Sequence, residues 1–248
     1  MITRGMILAA GLGSRFKPWT DRHPKALALV NGKSLLQRNI EWLRGYGISE
    51  LVVNVHHFAG QIMDELAAHQ GWGSEIIISD ETKEVLETGG GLKKAEEWLS
   101  DGPFLLMNVD ILTDLDLSAL IRDHLEHHPL ATLAVTDRLT SRYFLFDERQ
   151  GLCGWRNTKT GEEKIARLPD SGTGADQTGA LIQKAFSGIH IIEPAIFPLM
   201  RQEGKFSMVD VYLDLAATQK IRGFDHSRSR LIDVGKPESV GQAEQLFP

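Results

Sequence analysis

The stretch that decides the fold is residues 5–25, which read GMILAAGLGSRFKPWTDRHPK. It begins with an apolar run typical of a buried β-strand and passes directly into the small residues Ala9, Ala10, Gly11 and Gly13. Glycines in such a loop let the backbone approach a ligand closely and point several N–H groups at phosphate oxygens. The stretch therefore predicts a strand followed by a phosphate-binding loop, although a tight turn after a strand would carry the same two glycines.

Outside this stretch, apolar β-type segments alternate with amphipathic segments, which predicts a parallel sheet covered by helices on both faces. The predicted strands are residues 5–9, 51–55, 75–78, 104–108, 131–136, 186–192 and 230–234, and the predicted helices are residues 34–46, 59–69, 90–99, 117–127, 209–218 and 237–246. Residues 141–184 predict a small β excursion that includes a polar loop, RLPDSGTGADQTGA. The expected fold class is α/β, a Rossmann-like three-layer α/β/α arrangement with a mixed, mainly parallel sheet.

Composition narrows the possible functions. The 248 residues suit one domain, and the net charge of −6 argues against general nucleic-acid binding. A lone cysteine, Cys153, excludes an intrachain disulfide and a cysteine-rich metal site. No segment reaches the roughly 18 apolar residues that span a bilayer, and the short apolar run at the start is broken at Gly11, so we expect a cytoplasmic protein without a membrane partner.

Local charge points to an anionic ligand for the glycine loop. Residues 1–25 hold five basic side chains but a single acidic one, Asp21. Two common phosphate loops are excluded by spacing. A dinucleotide-binding loop needs a third glycine where Phe16 stands, and a Walker A loop ending at Gly32-Lys33-Ser34 needs a glycine where Leu27 stands.

The segment GLGSRFKPWTDRHPK, residues 11–25, resembles the signature of the sugar-1-phosphate nucleotidylyltransferases. The resemblance implies transfer of a nucleotidyl group from a nucleoside triphosphate to a sugar 1-phosphate, with release of pyrophosphate. Catalysis of such a displacement consists mainly of positioning and neutralising charge. The resemblance implies that Arg15 counters the charge of pyrophosphate, that Lys25 bridges the two reacting phosphates, and that Asp110 completes the catalytic set.

Two aspartates are candidates for a magnesium site. Asp110 follows the predicted strand 104–108, and ligands of open α/β sheets bind at the carboxyl ends of strands. Mg²⁺ prefers one or two carboxylates together with phosphate oxygens and water, and Asp233 in the segment LIDVG supplies the second. Both positions resemble the metal-binding aspartates of the family.

Further matches to the family lie in LETGGG, residues 86–91, and FSGIH, residues 186–190. Glu87 is a departure, because relatives carry Gly-Thr-Ala-Gly after the leucine. The resemblance implies a nucleotide-binding set formed by Leu8, Ala9, Ala10, Gly11, Gly13, Ser14, Arg15, Lys25, Thr88 and Gly89. Asn108, where many relatives carry glycine, is a further candidate that either contacts the nucleotide or ties down a loop. The resemblance also implies a sugar-phosphate-binding set formed by Gly188, Glu163 and Lys164, although Ile165 replaces the proline that usually follows this Glu-Lys pair.

The LETGGG form is similar to a uridylyltransferase branch of the family, which favours UTP as the nucleotide. The acceptor is then N-acetylmuramate 1-phosphate or another hexose 1-phosphate. We expect residues 1–140 to bind the nucleotide and residues 141–248 to bind the sugar phosphate. Two alternatives stay open: a non-catalytic regulatory protein that binds nucleotide sugars, and a nucleotidyltransferase acting on molybdenum cofactors. The sequence leaves the oligomeric state undetermined.

Overall fold

A computed structural model describes residues 2–169 and 180–248. The strands are β1 (Arg4–Leu8), β2 (Leu29–Val30), β3 (Lys33–Ser34), β4 (Glu50–Val55), β5 (Glu75–Asp80), β6 (Phe104–Asn108), β7 (Ile111–Thr113), β8 (Ala131–Thr136), β9 (Arg142–Phe146), β10 (Leu152–Asn157), β11 (Glu162–Ile165), β12 (Ile182–Ile192), β13 (Ile221–Asp225) and β14 (Leu231–Asp233). The helices are α1 (Leu35–Gly45), α2 (Ala59–Ala68), α3 (Glu87–Lys94), α4 (Glu96–Leu99), α5 (Leu117–His127), α6 (Met208–Leu215) and α7 (Glu238–Leu246). No helix in these two ranges is long and apolar enough to cross a lipid bilayer.

The central sheet has the order β11-β10-β9-β12-β6-β1-β4-β5, with β8 and β13 attached beside β12. Strand β1 is parallel to β4 and β6, and β4 is parallel to β5. Strand β12 is antiparallel to β6, β8 and β9. Following the pairings through the described part of this sheet, only β10 and β12 run against β1. The sheet is therefore mixed and mainly parallel, which confirms the predicted fold class.

Strand β6 shows why helices must cover both faces of the sheet. Its first four residues are fully buried. Because side chains alternate along a strand, Phe104 and Leu106 pack into one apolar cluster while Leu105 and Met107 pack into another. An apolar run without alternation is typical of a strand buried on both faces. The three-layer arrangement follows from this double burial.

Three of the helices in the described residues begin at a side-chain cap. The Ser34 hydroxyl accepts a hydrogen bond from the Gln37 amide at 3.0 Å and starts α1. The Asp116 carboxylate accepts from the Ser118 amide at 2.9 Å and starts α5. The hydroxyl of Ser207 accepts from the Val209 amide at 3.1 Å and starts α6. Each cap satisfies a backbone amide in the first turn of its helix, which would otherwise have no partner within that helix.

Strand β13 and the helix predicted at residues 90–99 are two places where the structure departs from the sequence-based expectation. Strand β13 was not predicted, because Arg222, Gly223 and Asp225 interrupt its apolar pattern, yet it pairs in parallel with β8. The helix predicted at residues 90–99 begins three residues earlier and is divided into α3 and α4. Residues 170–179 of the predicted polar loop lie outside the described residues.

Candidate active site

A cavity of about 440 Å³ opens at the carboxyl ends of β1 and β6. Its floor is the loop that follows β1, and one wall is the end of β6 at Asn108, Val109 and Asp110. The opposite wall contains Thr88 of α3 and Ser207, the N-cap of α6. This is the edge of the sheet at which open α/β folds bind their ligands.

The glycine loop is folded back so that Lys25 lies next to it. Gly13 has φ of 59°, and a Cβ there would lie 2.9 Å from Thr20 Cγ2 and 3.1 Å from Lys25 Cβ. The Thr20 hydroxyl donates to the Gly13 carbonyl at 3.0 Å, and the Phe16 amide donates to the same oxygen at 2.7 Å. Both the left-handed backbone and the close contacts require glycine at position 13. The signature residues thus fix the loop and bring a lysine to it.

A buried polar pair that the sequence pattern did not reveal supports the start of this loop. The Asn54 side-chain oxygen accepts from the amides of Ala9 and Ala10, at 2.7 and 3.3 Å. Its Nδ2 donates to Glu81 Oε1 at 2.7 Å, and Glu81 Oε2 accepts from the Leu86 amide at 3.2 Å. Asn54 and Glu81 are each 2% exposed and both border the cavity. The only sequence signal was a polar residue within the apolar strand β4.

Lys25 and Asp110 form an ion pair at the cavity wall. Their side chains are 13% and 15% exposed, so the pair is shielded from most solvent screening. The side-chain Nδ2 of Asn39 donates to the Val109 carbonyl at 2.8 Å and holds the residues that follow β6 in place. A lysine beside an aspartate at a strand end can neutralise an anionic ligand while the carboxylate remains available to a cation.

Asp233, the second candidate metal ligand, lies beside Asp110 although it is near the other end of the chain. The Val234 amide donates to the Asp110 carbonyl at 2.8 Å, so Asp233 at the end of β14 lies next to Asp110. Within residues 2–169 and 180–248, Asp233 Oδ1 is buried without a hydrogen-bond partner. A Cβ on Gly235 would lie 2.7 Å from this oxygen and 3.0 Å from Arg15 Nη2. Arg15 and Asp233 therefore both lie against Gly235.

The electrostatics of Asp233 are those of a carboxylate that lacks a counter-ion. Burial raises its pKa above the ordinary 3.8, and the charge of Asp110 raises that pKa further. The cations Lys25, Arg15 and Arg138 oppose this shift without cancelling it. Two crowded carboxylates, one with an unpaired buried oxygen, fit a bound cation.

Comparison with known proteins shows the family to which the chain belongs. A family model described as "Nucleotidyl transferase" matches residues 4–144. The chain is 31% identical over 249 residues to the N-acetylmuramate alpha-1-phosphate uridylyltransferase of Caulobacter vibrioides, and the match covers 96% of this chain and 94% of that protein. The chain belongs to the nucleotidyl transferase family. The resemblance to sugar-1-phosphate nucleotidylyltransferases is thereby confirmed, and the chain is an enzyme of this class.

Other relatives of this nucleotidyl transferase include one with the same name as the Caulobacter protein and one named for another base and sugar. A Neisseria meningitidis protein with the same name as the Caulobacter one is 28% identical, with 98% of this chain and 97% of that protein covered. A Yarrowia lipolytica mannose-1-phosphate guanyltransferase is also 28% identical, but this chain spans 64% of its length. The structure of HddC from Yersinia pseudotuberculosis complexed with GMP-PN superimposes with a TM-score of 0.76 at 23% identity, with 100% of both chains covered, which shows a shared fold.

The structure brings most of the predicted site residues together. The cavity is lined by Leu8, Ala9, Ala10, Gly11, Gly13, Ser14, Lys25, Thr88, Asn108 and Asp110. Arg15 and Asp233 flank it at Gly235. Gly188 adjoins it, because a Cβ there would lie 2.8 Å from Asn108 Nδ2, and its φ of 74° is left-handed. The ligand roles of these residues remain predictions.

Three predicted residues lie away from the cavity surface. Gly89 packs against the Phe206 ring so closely that a Cβ would lie 2.4 Å from Cδ2 of that ring, and its amide donates to the Phe206 carbonyl at 2.9 Å. Glu163 and Lys164 are on β11, the outer strand of the sheet. Glu163 pairs with Arg156 at 2.5 Å, and Lys164 lies 3.6 Å from Asp210. Neither is among the cavity residues, and their predicted contact with the sugar stays untested.

The departure at Glu87 has a structural explanation. Its φ is 60°, a left-handed conformation that glycine adopts without strain and that costs other residues about 1 kcal/mol. Glycine, which relatives carry at this position, would adopt the same backbone conformation without that cost. Glu87 also lines the cavity and lies 3.6 Å from Lys205 Nζ, a further lining cation that the sequence pattern did not reveal.

Proposed function

We propose that this enzyme transfers a uridylyl group from UTP to N-acetylmuramate 1-phosphate or a closely related hexose 1-phosphate, with Mg²⁺ as cofactor. One observation carries the proposal: the glycine loop and the Lys25–Asp110 pair line one cavity, and Asp233 lies next to Asp110. A polyphosphate needs close backbone N–H groups, a cation and a metal site together. The cavity offers the first two, and its paired aspartates suit the third.

The aspartate pair fits magnesium on its own chemistry. The described residues contain no cluster of three or more His, Cys, Asp or Glu side chains suited to a metal. A site with two carboxylates whose other ligands are phosphate oxygens and water is the kind that Mg²⁺ prefers. Asp110 and the unpartnered oxygen of Asp233 would hold the ion. When bound, Mg²⁺ would neutralise charge on the reacting phosphates.

The chain's own residues would then position the reactants. A phosphate oxygen of the sugar 1-phosphate forms a bond to the α-phosphorus of UTP, and the bond from that phosphorus to the bridging oxygen breaks, so pyrophosphate leaves with its electrons. The amides of the glycine loop and Arg15 would hold the leaving pyrophosphate. Lys25 would lie between the α-phosphate and the incoming phosphate. The attacking oxygen is already anionic, so no protein nucleophile is required.

The choice of base and sugar is supported by coverage and by a motif. The two uridylyltransferase relatives match this chain over nearly their whole lengths, whereas the guanyltransferase from Yarrowia lipolytica extends well beyond it. The LETGGG segment places Thr88 at the cavity wall, where its hydroxyl accepts from the Met208 amide at 2.9 Å. This contact joins α3 to the start of α6 on the side proposed for base and ribose.

A pyrophosphate-release assay tests the proposal. The purified enzyme is assayed with Mg²⁺ against UTP, GTP, CTP and dTTP, each with N-acetylmuramate, N-acetylglucosamine, glucose and mannose 1-phosphates. We expect the highest kcat/KM with UTP and N-acetylmuramate 1-phosphate. A preference for GTP and mannose 1-phosphate would contradict the substrate assignment. Tight nucleotide-sugar binding without any pyrophosphate release would instead support a non-catalytic regulatory protein.

A further inference from the structure

A cluster of polar and charged residues lies beside Gly188, on the side proposed for the acceptor. We call it the acceptor-side cluster, and it consists of Asp137, Arg138, Lys184, Ser187, Asp225 and His226. Its members come from the ends of β8 and β13 and from the irregular middle of β12, where the register with β8 shifts between Phe186 and His190. The family signature and the proposed reaction assign no role to this cluster.

A buried lysine holds the cluster together. Lys184 is 8% exposed, and its Nζ donates to Asp137 Oδ1 at 2.6 Å and to Asp225 Oδ2 at 2.5 Å. Burial alone would lower the pKa of Lys184, but the hydrogen bonds to the two aspartates leave that pKa raised. The Asp137 amide also donates to the Ser227 hydroxyl at 2.9 Å. The backbone that carries Arg138 is therefore fixed to the end of β13.

A second buried contact supports the strand on which Gly188 lies. The hydroxyl of Ser187 and Nε2 of His226 are 2.7 Å apart, and the two residues are 0% and 5% exposed. Burial lowers the pKa of His226 to about 4, so its ring is neutral at physiological pH. Its Nδ1 is buried without a partner among the described residues. The wall beside Asn108 is thus rigid and polar.

Of the two permanently charged cations in the cluster, Arg138 is the one without a carboxylate partner among the described residues. Its Nη2 donates to the Phe186 carbonyl at 2.8 Å, and its Nε is buried without a hydrogen-bond partner in residues 2–169 and 180–248. The side chain is half-buried, and its charge acts on the pKa of Asp233. Leaving a buried donor unpaired costs about 1–3 kcal/mol. A half-buried guanidinium that is held by the Phe186 carbonyl and has no carboxylate partner among the described residues is suited to bind an anion.

We propose that Arg138 selects acceptors that carry a second anionic group, a carboxylate on the sugar, in addition to the 1-phosphate. This inference rests on the proposed function, because it assigns the acceptor of that same reaction. Lys25 and Arg15 already serve the phosphates at the glycine loop. Arg138 instead contacts β12 at Phe186, two residues before Gly188, the residue predicted to bind the sugar. A guanidinium makes two parallel hydrogen bonds to a carboxylate, and a prepositioned one binds it with little loss of side-chain entropy.

Two acceptors distinguish recognition of a sugar carboxylate by Arg138 from a contribution of Arg138 that is equal for every acceptor. N-acetylmuramate 1-phosphate carries a carboxylate, and N-acetylglucosamine 1-phosphate has the same ring and phosphate without it. The variants are Arg138→Gln, Arg138→Lys and the matched surface control Arg149→Gln, which lies near the start of β13 rather than its end. Steady-state kinetics with UTP and Mg²⁺ give kcat/KM for each acceptor, and calorimetric titration of each acceptor in the presence of a non-hydrolysable UTP analogue gives binding without turnover.

We expect Arg138→Gln to lower kcat/KM for the carboxylate-bearing acceptor about 10- to 100-fold, mainly through KM, the scale of a lost charged hydrogen bond. Its kcat/KM for N-acetylglucosamine 1-phosphate should stay within about threefold of wild type, and Arg138→Lys should be intermediate. Equal losses for both acceptors would overturn the inference and assign Arg138 to the 1-phosphate or to folding. Unchanged values for both, or equal calorimetric affinities of the wild-type enzyme for both acceptors, would also overturn it. If no acceptor yields pyrophosphate, the proposed function fails, while the titrations still decide whether Arg138 recognises a carboxylate.

Discussion

The two sides of the cavity are assembled in different ways. The nucleotide side is made largely by one continuous segment, in which the loop after β1 leads directly to Lys25. The side proposed for the acceptor depends instead on Gly188, which adjoins Asn108, and on Arg138 and His226 near it, and these three come from separate strands or their ends. A local motif fixes the first by backbone geometry, whereas sheet topology fixes the second. The proposed phosphate-binding part can therefore be recognised in the sequence, whereas Arg138 and His226 of the proposed acceptor side cannot.

The difference extends to how each side handles charge. On the nucleotide side, Lys25 and Asp110 form a pair that a ligand and a cation can share. On the acceptor side, Lys184 is enclosed by two aspartates and leaves Arg138 as the cation without a carboxylate partner among the described residues. We expect changes on the nucleotide side to affect turnover with every acceptor, and changes on the acceptor side to affect the choice between acceptors.

The largest effect is expected for Lys25→Ala. Removing a charge partner of the reacting phosphates should lower kcat at least about a hundredfold with every acceptor. The matched control is Lys17→Ala, a lysine of the same segment that is 64% exposed and pairs with Asp21. In a pyrophosphate-release assay, Lys17→Ala should keep the wild-type kcat while Lys25→Ala loses it. Near-normal release by folded Lys25→Ala enzyme would remove Lys25 from the proposed mechanism.

A smaller effect is expected for Gly91→Ala, which tests the buried pair beneath the loop. A Cβ at this position would lie 2.7 Å from Glu81 Oε1 and 3.0 Å from Asn54 Nδ2. We expect a loss of about 1–3 kcal/mol in the free energy of unfolding, measured by urea denaturation, and a raised KM for UTP.

The control for this change is Gly241→Ala. Gly241 is also helical, in α7, and a Cβ there has nothing within 4 Å. Alanine should be neutral or stabilising at that position because of its higher helix propensity. If both variants were equally stable, the contact between Asn54 and Glu81 would not constrain position 91.

A more modest change in stability is expected for Asp233→Asn without metal. The raised pKa of Asp233 means that its ionised form is disfavoured in the folded state, first by burial and then by Asp110. The folded protein therefore loses stability as pH rises from the ordinary value of 3.8 through the raised pKa. In EDTA at neutral pH, the variant should melt at a higher temperature than wild type. The difference should shrink as the pH approaches 3.8, and a lower melting temperature for the variant at neutral pH would contradict this account.

The smallest effect is expected for Lys164→Ala. Lys164 is half exposed, lies 3.6 Å from Asp210 and is 5.9 Å from the centre of the Trp155 ring. Exposed pairs of this kind contribute about 0–1 kcal/mol, so we expect KM for the acceptor to change by less than about threefold. A large rise in KM would support the contact between Lys164 and the sugar that the family motif implies, and would show that β11 approaches the acceptor.

The sequence predicted the fold class because β1, β4 and β6 are apolar without alternation and are separated by amphipathic helices. It also identified Lys25 and Asp110, the first as part of the glycine-loop motif and the second at the end of a buried strand. It could not reveal Asn54 and Glu81, whose contact depends on the register between β4 and β5. Strand β13 was missed because IRGFD has no apolar pattern, and the acceptor-side cluster beside its end was missed with it.

The central claim is that Asp110 and Asp233 hold one divalent cation against a polyphosphate bound at the glycine loop. The most direct test is Mn²⁺ binding measured by electron paramagnetic resonance in the presence of UTP, for wild type, Asp110→Asn and Asp233→Asn. We predict that each substitution weakens Mn²⁺ binding by at least about tenfold, because each removes one of two carboxylate ligands. Wild-type affinity for Mn²⁺ in either folded variant would contradict the account.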